Sequence, residues 1–168
     1  MVERNLLRNI KKITNKVNLI NLGNLKFHGD KINKNVKKEI DGFILNRLQG
    51  ALLNEAMRLY SDGYASSDEI DATIRDGLGL RWAFMGPFET IDLNAPGGIK
   101  DYISRYGPIF VEMAKNQTKI PDWSEEAGKK LELERRKILS HDKLEDRAKK
   151  RNQLLKSLRK VKIDNGEA

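Results

Sequence analysis

Asp41-Gly42-Phe43-Ile44-Leu45-Asn46-Arg47-Leu48 opens the stretch of this 168-residue chain whose apolar spacing decides the fold. From Ile44 the apolar residues run Ile44, Leu48, Leu52, Ala56, Leu59, with a second stripe at Leu45, Leu53, Met57 and Tyr60. Two adjoining stripes at three- and four-residue steps, sustained over roughly four turns, predict a helix buried on most of its circumference. Gly42 stands at its entry and Asp62-Gly63 at its stop. This is the expected central helix of the domain.

Downstream of that stop the pattern stays helical. Ser66-Ser67-Asp68-Glu69 sets a Ser at a cap and a Glu three residues on, opening a second helix through Ile70 and Ile74 toward a stop at Gly77 or Gly79. In Met85-Gly86-Pro87-Phe88, Pro87 suits the first turn of a third helix reaching about Ala95. Pro96-Gly97-Gly98 ends it, and Ile99, Tyr102, Ile103, Tyr106, Ile109, Phe110 and Met113 mark a fourth. After Ile120-Pro121-Asp122-Trp123, Ser124 is a candidate cap, with Glu125 and Glu126 favourably placed against the helix dipole. The Lys/Glu/Arg-rich stretch beyond, with sparse apolar residues from Leu131 to Leu158, predicts long surface helices, and residues 161–168 read as a disordered tail. With no β-alternation or repeat, the expected class is all-α, one domain around one core.

Upstream, residues 1–38 are rich in Asn and Lys, and Leu6, Ile10, Ile13, Val17 and Ile20 keep the spacing of a short amphipathic helix that Gly23 and Gly29-Asp30 break. The segment reads as a weakly ordered extension, with a mitochondrial presequence or a partner-binding helix as the other readings. Glu3 and the excess of Lys over Arg count against a presequence, which leaves the cytoplasm as the expected compartment. Asn21-Leu22-Gly23-Asn24-Leu25 offers one glycine where a dinucleotide-binding turn needs three, so no pyrophosphate site is expected.

The chain carries a net charge of +8, and its distribution is uneven. Between Asp41 and Asp122, 8 basic side chains face 12 acidic ones, so a mildly acidic middle lies between basic ends. Without cysteine, disulfides, thiolate metal sites and a cysteine nucleophile are excluded. His28 and His141 lie far apart among charged neighbours and read as solvated side chains rather than a metal pair. No apolar run approaches the roughly twenty residues needed to cross a bilayer. The basic runs Lys129-Lys130, Arg135-Arg136-Lys137 and Lys149-Lys150-Arg151 invite a nucleic-acid reading, but acids interleave them at helical spacing and no aromatic residue offers a stacking platform.

Gly42-Phe43-Ile44-Leu45-Asn46-Arg47 and, further on, Gly79-Leu80-Arg81-Trp82-Ala83-Phe84-Met85-Gly86-Pro87-Phe88 together resemble the C-terminal helical domain of the L-3-hydroxyacyl-CoA dehydrogenase superfamily. The Arg-Trp-Ala-Phe variant is most similar to the branch that holds lambda-crystallin, an L-gulonate 3-dehydrogenase, and the likeness covers about residues 37–160. It implies an all-α dimerisation domain of the 6-phosphogluconate dehydrogenase C-terminal-like type over residues 39–160. That domain closes the substrate cleft of an NAD-dependent enzyme acting on L-gulonate, 3-hydroxyacyl-CoA or a similar hydroxy acid. By composition alone Asn46, an amide among apolar neighbours, is a structural hydrogen bonder. By the resemblance it reaches into the cleft and helps position the catalytic His and the substrate oxygen, while Arg47 makes a structural ion pair.

Arg81, by the same resemblance, binds a substrate carboxylate, for which a guanidinium fork is suited. The other reading is a helix-end ion pair with Glu89 or Asp92. Trp82, Phe84 and Phe88 read as core. The family's general base and NAD site lie on a nucleotide-binding half, and neither His28 nor His141 sits in the matching context. The chain alone is therefore expected to bind no cofactor and to oxidise nothing, with a homodimer partner and a separate nucleotide-binding subunit as its expected company. The alternative is a basic helical interaction module that binds an acidic partner or nucleic acid.

Overall fold

The computed structural model describes residues 43–167, and among them every regular element is helical. The readings made for residues 1–38, His28 among them, lie outside the described residues. Helix α1, Phe43–Ser61, is the expected central helix. It ends where Gly63 takes φ 76, a left-handed conformation that only glycine adopts without strain, and the Tyr64 N–H closes the turn on the Leu59 carbonyl at 2.9 Å.

Helix α2, Ser67–Ala72, begins with both halves of the predicted capping box. The Ser66 Oγ accepts from the Glu69 N–H at 3.3 Å, and the Ser66 N–H donates to Glu69 Oε2 at 2.8 Å. Such a cap is worth about 1 kcal/mol. The second helix does not stop at Gly77 or Gly79. It widens into a π-helical turn, Thr73–Leu78, and continues as α3, Gly79–Trp82, so that Ser67 to Trp82 form one rod. Gly79, at φ −64, is helical rather than left-handed, and a helical glycine ends nothing.

Helix α4, Pro87–Leu93, opens on Pro87, and α5, Gly98–Asn116, follows after a short turn. Asp92 and Asp101 satisfy the start of α5: Asp92 Oδ1 accepts from the Ile99 N–H at 2.7 Å and Asp101 Oδ2 from the Gly97 N–H at 3.1 Å. Helix α6, Glu125–Ile138, is capped by Ser124 as expected, its Oγ accepting from the Ala127 N–H at 3.2 Å. A 3-10 turn, His141–Lys143, then leads into α7, Leu144–Asp164. The expected tail at 161–168 is thus partly helix: α7 carries Val161 to Asp164.

Three long-range contacts hold the segment before α6 against α1. The Trp123 indole N–H donates to Asn54 Oδ1 at 3.0 Å, the Arg58 guanidinium to the Lys119 carbonyl at 3.1 Å, and the Lys119 ammonium pairs with Asp62. Helix α6 docks on the rod's start: Glu134 Oε1 accepts from the Ser67 N–H at 2.7 Å, Arg135 lies 3.1 Å from Asp71, and the Lys130 ammonium sits 5.6 Å above the Tyr60 ring. The Ser67 hydroxyl and N–H, with the Tyr60 hydroxyl nearby, hold the Glu134 carboxyl below the usual range. The Glu69 carboxyl is held down by the Ser66 hydroxyl and N–H.

Carboxylates with lowered native pKa stabilise the fold fully above the ordinary Glu range, and that contribution is lost as pH falls through the native value. The domain should therefore lose thermal stability below about pH 4.5. Glu134→Gln should be less stable at neutral pH and flatter across that acid range. Equal pH slopes for the two proteins in thermal melts would rule out this anchor.

The central helix departs from expectation in its burial. Among the described residues the buried apolar side chains are Met57, Tyr60 and Ala95, while Ile44, Leu45, Leu48, Leu53 and Leu59 on α1 are exposed. The stripes are present but the chain's own described helices cover only the C-terminal part of them, because α2 and the 119–123 segment both meet α1 beyond its midpoint.

Candidate functional site

Asn46 lies near the start of α1, half-buried, on the portion of that helix flanked by exposed Ile44, Leu45 and Leu48. Among the described residues its amide has no hydrogen-bond partner. Arg47 beside it is exposed, and among the described residues it meets no carboxylate at ion-pair distance, so the expected structural pair is not formed there.

Arg81 is exposed on the short helix α3. Its two sequence-level pairing partners are otherwise placed: Asp92 is taken by the Ile99 N–H, and Glu89 is exposed in the first turn of α4. A guanidinium free of a carboxylate among the described residues keeps its paired N–H donors for an incoming anion. Beside it Trp82 is 41%, Phe84 42% and Phe88 75% exposed, so these three aromatic residues border an open surface rather than fill the core. The hydrogen bonds and ion pairs of the described residues do not join Asn46 to Arg81, which sit on separate rods.

One concavity among the described residues was not anticipated. An open groove of about 480 Å³ runs between α1, the Ser67–Trp82 rod and α6, walled by Leu52, Ile70, Ile74 and Ile138 and edged by Arg135 and Arg147. Neither Asn46 nor Arg81 lines it. Sequence periodicity carries no signal for such a groove, because it is created by how α1, the Ser67–Trp82 rod, α6 and the start of α7 meet.

The described residues do not fit a dinucleotide. Their left-handed glycines, Gly63, Gly98 and Gly166, stand at helix ends, and no strand feeds a glycine-rich turn among these residues. Nor do they contain three His, Asp or Glu side chains grouped to hold a metal ion. His141 lies exposed in the 3-10 turn, as expected for a solvated side chain. No described helix is long and apolar enough to cross a membrane.

Comparison with known proteins gives the face a context. The profile of the family described as 3-hydroxyacyl-CoA dehydrogenase, C-terminal domain, matches residues 42–161. The chain is 41% identical over 129 residues to lambda-crystallin of Oryctolagus cuniculus, a match covering 76% of this chain and 40% of that protein. It is 41% identical over 96 residues to the lambda-crystallin homolog of Homo sapiens, covering 57% of this chain and 30% of the relative. To L-carnitine dehydrogenase of Oceanobacillus iheyensis it is 34% identical over 125 residues, covering 73% and 40%. The chain thus spans two fifths or less of the length of these relatives.

Proposed function

Because this chain belongs to the 3-hydroxyacyl-CoA dehydrogenase family through its C-terminal domain, we propose that it closes the substrate cleft and forms the dimer contact of an NAD-dependent 3-hydroxy acid dehydrogenase. The observation that carries the reading is the apolar surface left open along α1 and α5, where Ile44, Leu45 and Leu48 on one helix and Ile103, Ile109 and Phe110 on the other are exposed. Contiguous apolar surface of this kind marks a contact with another chain or domain. The start of α1 carries Asn46 and faces a nucleotide-binding half, and α5 faces a second copy. Asn46 is the supporting residue that orients the base and the substrate oxygen.

Arg81 anchors the substrate carboxylate. Its exposure and its freedom from Glu89 and Asp92 among the described residues support that role over a helix-end ion pair. L-Gulonate and L-carnitine each join a hydroxyl to a carboxylate, and a small free acid of this kind suits a solvent-facing guanidinium. The sequence offers no three-glycine dinucleotide turn and sets neither His28 nor His141 in the context of the family's base, so the isolated chain is expected not to bind NAD. Titration calorimetry is expected to show no heat of binding; a micromolar NAD affinity would remove the basis for assigning the cofactor to another half.

The basic C-terminal helices do not favour the nucleic-acid reading. Lys129–Glu125 at 3.0 Å, Arg136–Glu132 at 2.9 Å and Lys149–Glu145 at 2.7 Å pair across single helical turns, as on solvated helices. Only weak, non-specific binding to duplex DNA is expected, at about 10⁻⁴–10⁻⁶ M and falling steeply with salt. Binding tighter than about 10⁻⁶ M at physiological salt, lost on deleting residues 129–162, would promote that alternative.

A further inference from the structure

The rod from Ser67 to Trp82 buries its residues at an irregular interval. Before the π turn Ser67 is buried and Ile70, Ala72 and Ile74 are half-buried; beyond Ile74 the next half-buried positions are Gly79 and Ala83, while Gly77, Leu78, Leu80, Arg81 and Trp82 are exposed. Along the stripe that starts at Ile70 and Ile74 the steps are four, then five to Gly79, then four to Ala83. The five-residue step coincides with the π-helical turn Thr73–Leu78, in which the Gly79 N–H donates to the carbonyl of Ile74. In an uninterrupted α-helix the stripe through Ile70 and Ile74 would run on through Leu78 to Arg81. One extra residue in a turn rotates everything beyond it by about 100°.

Gly79 is what the turn tolerates. A Cβ built there would lie 2.7 Å from the Ile74 carbonyl oxygen, a backbone atom that can move only if the turn itself changes. Other glycines of this region make no such demand: a Cβ at Gly77 or Gly86 meets nothing within 4 Å. Single π turns inside α-helices are rare and frequently lie at functional sites.

We propose that the π turn Thr73–Leu78 is a register shift that swings Arg81 off the protein-facing side of the rod, with Gly79 as the positioning residue that allows it. Its purpose, presenting a guanidinium to a substrate carboxylate, rests on the function proposed above; its geometry does not. A Cβ at position 79 forces the turn back to α-helical pitch, and Arg81 then rotates inward toward the stripe set by Ile70 and Ile74.

The full chain supplies its own test, because it contains no cysteine and Arg81→Cys therefore introduces a single thiol. That thiol should react with a small maleimide at the rate of an exposed reference such as Ser104→Cys. Adding Gly79→Ala should slow it about tenfold or more, since a covered thiol reacts only through local opening. Deleting Gly77 in the same background should restore the fast rate, because removing one residue returns Arg81's position to the open side in a regular helix that accepts alanine. Unchanged or faster labelling in Gly79→Ala, or no recovery on deleting Gly77, overturns the inference. Simple destabilisation would speed labelling, the opposite sign. Arg81→Met in an active fused enzyme decides the carboxylate anchor separately.

Discussion

Fused at Val36 behind a related nucleotide-binding domain, the chain is expected to recover hydroxy-acid dehydrogenase activity, and Asn46→Ala is then expected to lower kcat by up to about a hundredfold. An amide that orients both a base and the reacting oxygen acts mainly in the transition state, so its loss should reduce kcat and kcat/KM together. Asn46 stands on the open portion of α1, half-buried, with no hydrogen-bond partner among the described residues, so no fold contact there should be lost with it. Arg81→Met should divide the parameters differently. A charged hydrogen bond to a carboxylate is worth about 1.5–3 kcal/mol, so KM should rise roughly tenfold or more while kcat changes little. An active fusion indifferent to both substitutions would show that neither residue meets the substrate.

The separation between what the sequence announced and what it concealed follows the range of the interactions. The Ser66–Glu69 capping box and the Ser124 cap were legible because donor and acceptor lie within four residues of each other, and both form. The span of α1 was legible for the same reason, its stop being a local glycine conformation. Its burial is only partly met among the described residues: periodicity reports that a face is apolar, and the residues that cover it must come from elsewhere. Glu134 on the Ser67 N–H joins residues 67 positions apart, a distance at which no spacing rule operates.

The continuation of the second helix past Gly77 and Gly79 was missed because glycine in a helical pattern ordinarily signals a stop. Here Gly79 accommodates a wider turn instead, visible only once the Ile74 carbonyl is placed beneath it. Arg81 was singled out by family likeness alone. Its surroundings could not be ranked before the fold assigned Asp92 to the start of α5.

A charge placed in the apolar side of α5 should abolish self-association. Tyr102, Tyr106 and Phe110 stand at four-residue steps, with ring centroids 4.8 Å apart for the first pair and 6.3 Å between Tyr102 and Phe110, and Ile103 and Ile109 flank them at 56% and 55% exposure. Among the described residues only α4 packs extensively against this helix. A two-fold contact between identical faces is the commonest way to close such a surface, and a stable one buries about 1,600 Å² in total. Ile103→Glu would then bury a carboxylate without a partner at that contact, costing about 3 kcal/mol or more, which weakens the dimer at least about a hundredfold. Sedimentation should find the parent chain dimeric and Ile103→Glu monomeric at the same micromolar concentration, whereas Ser104→Glu, on the polar side of α5, should remain dimeric. A parent chain that stays monomeric at high micromolar concentration without aggregating would refute the contact, because the same apolar side chains would then be stable in water.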